Sequence, residues 1–566
     1  MYKLFLCLRY LRSRLLAIIA MLAVSLCAFM LIVAVSVMNG FVDKLEDAAK
    51  GLFGDVIIEG TSATGFGLYD EFIAEMTDPE TGVEHVEAAS PFIHTGGLLR
   101  VPGDSDFQRV VQIAGIRLPQ RSAVTDFQEG LWMQKDLPHA SWDPNFSLLI
   151  DRLREEMREV EQFARQLEEG GEEALPANVA ATIARARSAQ HQMGYGLSAL
   201  QQARPYQPAI RKMLDRLSAA RETAGGGEMT DEMVELEDKL FELLQKAAVR
   251  PPGERAIVGA RIPGFSFRTD FGRTVRFMVP GHDIVLVVFP IGRRITETDI
   301  SLPKRRLTVI DEAATDIYQI DSQYVFIPFE TAQMLNDMSA REDPNDPSRI
   351  VRPARTSSIH VKVDPALGGD ETKLRHIAVE IEKRWAAFRE KNPLAWAGSD
   401  VEVGTWRQRQ AKVIAPIQAQ RTLVAIMFGI MSLVAPAVIF VIFYMIVVQK
   451  TKDIGVLKAI GASSPGVAGI FLAYGALVGV AGALVGLVGG FFFVKNINPV
   501  HDWMGRTMGF QVWSPETFLF TEIPNQVDWA AAVLIVVGAA LAGVAGALVP
   551  AVHAARMQPV EALRYE

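Results

Sequence analysis

The stretch Lys450–Ser464, KTKDIGVLKAIGASS, is where residue type and spacing in this chain are most informative. Charges at Lys450, Lys452, Asp453 and Lys458 alternate with Ile454, Val456, Leu457 and Ile460. The pattern predicts a short amphipathic helix, and Gly461 to Pro465 supplies a turn after it. The chemistry open to such a segment is docking. Its apolar side chains and flanking charges meet either lipid headgroups, as an ordinary anchored loop would, or the surface of a soluble partner.

Covalent chemistry has no comparable signal. The sequence contains no GxxxxGK[ST], and no lysine follows a glycine, so an ATP-binding P-loop is excluded. HExxH, GxSxG and CxxC are absent as well. The nine histidines are scattered, and His94, His282 and His360 sit among strand-like residues that predict structural roles. No catalytic residue, metal ligand set or cofactor site is expected.

The elements that position the 450–464 segment are apolar. Leu15–Val42, Thr422–Gln449, Ala459–Val494 and Trp529–Val552 carry no Asp, Glu, Lys or Arg. Each exceeds the roughly 20 residues that cross a bilayer as a helix. The first run is about twice the length of a signal-peptide core, so Leu15–Met38 is expected to be a retained transmembrane helix. The fold class is therefore a polytopic α-helical membrane protein with four transmembrane helices. The flanks orient it. Lys3, Arg9, Arg12 and Arg14 precede the first span, and Lys450, Lys452 and Lys458 lie between the second and third. The segment between spans one and two is strongly acidic within a chain of net charge −8. The positive-inside rule then places both termini and the 450–458 loop in the cytoplasm of a multi-pass inner-membrane protein. Trp406, Trp503, Trp513 and Trp529 would form an aromatic belt at the outer ends of the spans. Of two cysteines, Cys7 is cytoplasmic and Cys27 lies in a span, so the outer domain needs no disulfide. Its acidity argues against nucleic acid.

The chain divides accordingly. Residues 1–14 are a cytoplasmic segment, 15–42 transmembrane helix 1, and 43–147 the first part of an extracytoplasmic α/β domain. A helical insertion follows at 148–250, where Leu153, Met157, Val160, Phe163 and Leu167 form one apolar stripe. Met229, Met233, Leu236, Leu240, Leu243 and Ala247 form a coiled-coil seam. Three or four helices are expected there, as a spacer, a self-packing arm or a docking arm. The α/β domain resumes over 251–405, with a helix at Glu371–Lys391 carrying Leu374, Ile377, Val379, Ile381 and Trp385. Residues 406–449 are a stalk and transmembrane helix 2, with Arg407–Arg421 expected as a helix running into the span. The coupling loop is 450–465, transmembrane helix 3 is 466–494, and an outer loop occupies 495–528. Transmembrane helix 4 spans 529–552, and 553–566 is a cytoplasmic tail.

The third span carries Gly475, Gly479, Gly482 and Gly486, two GxxxG pairs that permit close backbone approach. The fourth carries Gly538, Gly543 and Gly546, and the second contains Pro436. No span holds an Asp, Glu, Lys, Arg or His, which argues against an ion or proton pathway.

KTKDIGVLKAIGAS resembles the loop signature of FtsX-like ABC transporter permeases, and PAVHAARMQPVEALRYE resembles that family's C-terminal signature. LRYLRSR (Leu8–Arg14), VSVMNGF (Val35–Phe41) and FLFTEIPNQVDW (Phe518–Trp529) are similar to the lipoprotein-releasing subgroup. Asp453 stands where the family usually has Glu. The resemblance implies a homo- or heterodimer of permeases in the membrane above cytoplasmic ABC ATPase subunits. It implies an ATPase-coupling helix that includes Lys452, Asp453, Ile454, Val456, Leu457, Lys458 and Ile460. It also implies that ATP-driven motion is relayed to the outer domains, so that lipoprotein cargo is handed to a periplasmic carrier. The 148–250 insertion departs from that subgroup. Two alternatives stay open: a mechanical exporter working with a periplasmic adaptor, and an FtsX-type relay that regulates cell-wall hydrolases.

Overall fold

The computed structural model describes residues 15–102, 104–169, 177–203, 255–269, 273–290, 302–315, 317–343, 346–393, 400–508, 520 and 522–558, with residues 212, 213, 216, 236, 239 and 513. Met229, Met233, Leu240, Leu243 and Ala247 of the expected coiled-coil seam lie outside the described residues. The chain forms two compact units. A helical unit contains Met1–Asp47, Ala411–Phe518 and Glu522–Glu566; an α/β unit contains Ala48–Gln410 and Leu519–Thr521.

The helices used below are α1 (Leu15–Phe53), α2 (Phe146–Glu169), α3 (Ala177–Ala203), α4 (Glu371–Lys391), α5 (Trp406–Arg409) and α6 (Ala411–Ser432). They continue as α7 (Val434–Gln449), α8 (Thr451–Ala459), α9 (Ser464–Lys495), α10 (Ile497–Met508) and α11 (Trp529–Arg556). In the helical unit four stretches are long and apolar enough to cross a membrane: Ile18–Glu46, Gln418–Gln449, Ser464–Lys495 and Trp529–Arg556. The second is two helices, α6 and α7, broken at Leu433. Pro436 therefore sits in the first turn of α7, where its missing N–H has no intrahelical acceptor to lose. The helix expected over Arg407–Arg421 is also interrupted. Thr405 and Gln408 close a capping box that starts α5 at once after a strand, the short helix ends at Gln410, and α6 begins afresh at Ala411.

Of the four tryptophans expected in an aromatic belt, one is buried in the α/β unit. Trp503 and Trp529 are more than half exposed. Trp513 packs edge-on against Phe41, and Trp406 is buried in the α/β unit, where its backbone N–H donates to the Asp55 carbonyl.

Nine strands make the main sheet of the α/β unit: β1 (Val56–Gly60), β2 (Val86–Val101), β3 (Asp104–Ile116), β4 (Arg255–Gly259), β5 (Asp283–Val288), β6 (Lys304–Ala313), β7 (Tyr324–Pro328), β8 (Ser358–Val363) and β9 (Val401–Thr405). Their order is β9-β1-β8-β2-β3-β7-β4-β6-β5, and β5 also pairs with β2. The 16-residue β2 makes the closure possible. Its first half pairs with β8, while Gly97–Arg100 lies between β3 and β5. Six strands thus close on themselves without a free edge. Pro91, Gly96 and Gly97 hide β2 in the sequence, because they read as turn signals. Gly97 is needed for the closure: a Cβ there would lie 2.6 Å from the Val287 carbonyl oxygen. Alternate residues Ile284, Leu286 and Val288 of β5 are buried, as a one-sided strand requires. Helix α4 buries Leu374, Ile377, Ile381 and Trp385 in the same core, and Val379 faces solvent instead.

The described part of the helical insertion is an antiparallel pair. Glu168 of α2 meets Arg187 of α3 at 2.5 Å, while Met157 lies against Gly194. Leu153 and Val160 pack on Ala186, Met193 and Leu200, the latter three at heptad spacing. The pair is tied to its own unit by charge. Arg276 reaches Glu312 of β6 at 2.9 Å and Glu156 of α2 at 3.5 Å, and its guanidinium lies 4.3 Å over the Trp132 ring. Arg273 meets Glu159 at 2.9 Å. Beside them Asp311 accepts hydrogen bonds from the backbone N–H of Met133 and of Glu312, each at 2.8 Å.

Burial pushes the Asp311 and Glu312 carboxyls up from their ordinary values of 3.8 and 4.5 to about 7, with Arg276 opposing the rise at Glu312. The folded values exceed the unfolded ones, so the unfolded chain releases its protons first. The stability these groups add is full below their ordinary values and is lost as pH rises to about 7. Arg276→Met removes the one guanidinium shared by Glu156 and Glu312, and breaking a buried pair in this way costs about 3–5 kcal/mol. Thermal melts of the whole chain in nanodiscs should show a larger loss at pH 8 than at pH 5, where the carboxyls take up protons. An equal loss at both pH values would mean that Arg276 acts only by packing.

Candidate functional site

Helix α8 is the residue pattern of the 450–464 segment made into structure. It leaves α7 through Lys450, whose ammonium pairs with Asp453, and Thr451 Oγ1 donates to the Val448 carbonyl at 2.8 Å. It stops in a Schellman turn. Gly461 adopts φ +102°, its N–H donates to the Lys458 carbonyl, and the Ala462 N–H donates to the Leu457 carbonyl. Ser463 then caps α9 by accepting from the Gly466 N–H, with Pro465 in the first turn. Between the two helices, glycine ends α8, and serine with proline starts α9.

The apolar residues of α8 do not share one face. Ile454 is buried among Val447 of α7, Val467 of α9 and Ala554 of α11. Gly455 beside it is buried too. Lys458, one turn on from Ile454, points the same way, and its ammonium donates to the Ala555 and Met557 carbonyls at 2.7 Å each. The opposite stripe, Asp453, Val456, Leu457 and Ile460 at i, i+3, i+4 and i+7, is exposed, with Lys452 beside it. Val456 is 46% exposed, Leu457 42% and Ile460 81%. Three aliphatic side chains are left uncovered on a short element, and no group on it is arranged for bond-making.

The glycines of α9 face two partners in succession. At Gly475 a Cβ would lie 2.6 Å from that of Ala547, and at Gly479 2.5 Å from the Ala539 carbonyl oxygen, both on α11. At Gly482 it would lie 2.9 Å from Val24 Cβ, and at Gly486 2.5 Å from the Ser25 carbonyl oxygen, both on α1. Gly546 of α11 likewise admits Pro436 and Ile439 of α7. The helices carrying α8 are therefore held at backbone contact.

The three histidines singled out in the sequence do not converge. His360 is buried, its Nδ1 lies 2.7 Å from Arg121 Nη1, and burial and that guanidinium hold its pKa well below the ordinary value. His282 Nδ1 accepts from the Val279 N–H, and His94 stacks on Tyr324. Among the described residues no group of three His, Cys, Asp or Glu could hold a metal ion. Sequence reasoning missed the seat of α8. Val467 and Ala554 are ordinary apolar residues far apart in the chain, and no local signal marks them.

Helix α8 joins two long apolar helices and packs against a glycine-lined bundle. Residues 425–559 match the FtsX-like permease C-terminal family. The chain resembles permease subunits of lipoprotein-releasing systems. It is 27% identical over 164 residues to the lipoprotein-releasing system transmembrane protein LolC of Xylella fastidiosa, covering 29% of this chain and 40% of that protein. Against LolC of Neisseria meningitidis it is 21% identical over 342 residues, covering 57% and 73%. Against LolE of Haemophilus influenzae it is 26% identical over 158 residues, covering 28% and 38%. The aligned part thus spans about two fifths of the Xylella protein's length.

The packing makes a paired prediction. Gly479→Leu forces a branched side chain into the Ala539 backbone, and overpacking of that kind costs about 1–3 kcal/mol or more. Gly538→Leu on α11 meets nothing within 4 Å and should leave the melting temperature unchanged. Equal melting of the two variants in nanodiscs would contradict the assignment of the glycine face.

Proposed function

We propose that this chain is the permease subunit of an ABC transporter that releases lipoproteins from the outer leaflet of the cytoplasmic membrane. The observation that carries the reading is the exposed stripe Val456, Leu457 and Ile460 on α8, within the stretch that matches the permease family. In this reading both termini and α8 are cytoplasmic, and the α/β unit is extracytoplasmic. The stripe, with Lys452 and Asp453, seats a separate ABC ATPase subunit, while Ile454 and Lys458 hold α8 to the spans. A second permease, identical or related, completes the transporter. ATP-driven closing of the ATPases moves the bundle and, through it, the extracytoplasmic unit. Acylated cargo enters from the bilayer and leaves on a soluble carrier. The α2–α3 pair is a docking arm on the extracytoplasmic side. The four runs free of Asp, Glu, Lys and Arg suit an apolar acyl chain, which needs no charged pathway.

The experiment is reconstitution of the chain with its ATPase in proteoliposomes. Release of an acylated protein should follow ATP addition, and the same protein without its acyl chains should neither be released nor stimulate hydrolysis. Leu457→Asp puts a carboxylate on the exposed stripe, where its own fold is least affected. It should abolish cargo-stimulated ATP hydrolysis while the chain melts as before. Unchanged stimulation in that variant would reject α8 as the docking element, and acyl-independent stimulation would reject lipoprotein release.

A further inference from the structure

The last carbonyls of any helix have no intrahelical donor, and the C-terminal end of a helix carries partial negative charge. At the end of α11 two of these groups, the Ala555 and Met557 carbonyls, accept from one ammonium, that of Lys458, at 2.7 Å each. The donor comes from α8, nearly 100 positions away in the chain. Charge-assisted hydrogen bonds of this kind are about twice as strong as neutral ones. One turn earlier on the same face, Ile454 is buried against Ala554 of α11, so polar and apolar contacts fix the same two elements. Lys458 is thus turned away from the exposed stripe and makes a cap in trans.

We infer that Lys458 is a positioning residue that clamps α8 to the C-terminal end of α11, so that the docking helix and the fourth span move as one body. This rests on the reading of α8 as the element that receives ATPase motion. Displacement of α8 would then enter α11 directly. From α11 it would pass to α9 across the Gly543–Gly475 contact. No other described lysine or arginine of α8 reaches α11, since Lys452 is exposed. A methionine at 458 keeps the length and apolar stem of the side chain and loses both bonds. An arginine keeps a donor for them.

The test uses the full chain in nanodiscs with Cys7→Ser and Cys27→Ala, and spin labels at Ala459→Cys, exposed on α8 but outside the docking stripe, and Gln558→Cys. With Lys458 in place the label distance should be narrow, and the same with and without ATP and vanadate once the ATPase is bound. Lys458→Met should broaden it in the chain alone, and Lys458→Arg should restore it. Release per ATP should fall by about 2- to 30-fold in Lys458→Met, the range over which single positions modulate coupling, and recover in Lys458→Arg. An unaltered distance in Lys458→Met, or a distance that shifts on vanadate trapping with Lys458 present, overturns the inference. Should Lys458→Met fail to fold, the trapping measurement on the unsubstituted residue decides alone. Failure of any ATPase to bind the chain would reject the functional reading, while the distances in the chain alone would still test the clamp.

Discussion

Backbone contact between helices is the constraint on which the helical unit depends. Lipid tails are as apolar as leucine, so helices in a bilayer gain little from hiding apolar side chains from one another. They associate by van der Waals contact, and that requires close approach. The glycine face of α9 provides it twice, toward α11 at Gly475 and Gly479 and toward α1 at Gly482 and Gly486. A single Cβ at most of these positions would occupy the space of a neighbouring backbone atom. Contacts this close leave little room between α9 and its partners for added side-chain volume.

Helix α8 inherits its position from that bundle. Val447, Val467 and Ala554, which seat Ile454, come from three different helices. The Schellman turn at Gly461 and the cap at Ser463 fix the chain direction within a few residues, so α8 has little freedom of its own. What remains outward is apolar by necessity of sequence order. With Ile454 and Lys458 turned in, the 3.6-residue period leaves Val456, Leu457 and Ile460 on the other side. An uncovered aliphatic stripe is unfavourable in water unless a partner covers it.

Much of this was legible in the sequence, and for identifiable reasons. Charge-free runs longer than a bilayer is thick announce spans, and α4 was readable to its ends because Asp370 caps its first turn and apolar residues recur with its period. The turn at Gly461–Pro465 was equally plain. The misses share a cause, which is that pairing at long range overrides local signals. β2 reads as a broken segment because Pro91 and Gly97 serve contacts with strands far away. Trp406 reads as an interfacial residue, yet β9 delivers it into a core. Lys458 reads as one more charge on an amphipathic helix, and only the folded end of α11 gives it a partner. Arg276 carried no sequence signal, because Glu156 and Glu312 lie 120 and 36 positions away.

In the proposed function the outward stripe of α8 is covered by an ATPase subunit, while its inner face is held by the bundle. Site-specific photocrosslinking in living cells reads both faces directly. A photoreactive residue at Ile460 should give an adduct with the ATPase, and the same residue at Ile454 should react only within the chain. Adducts to the ATPase from Ile454, or none from Ile460, would contradict the account.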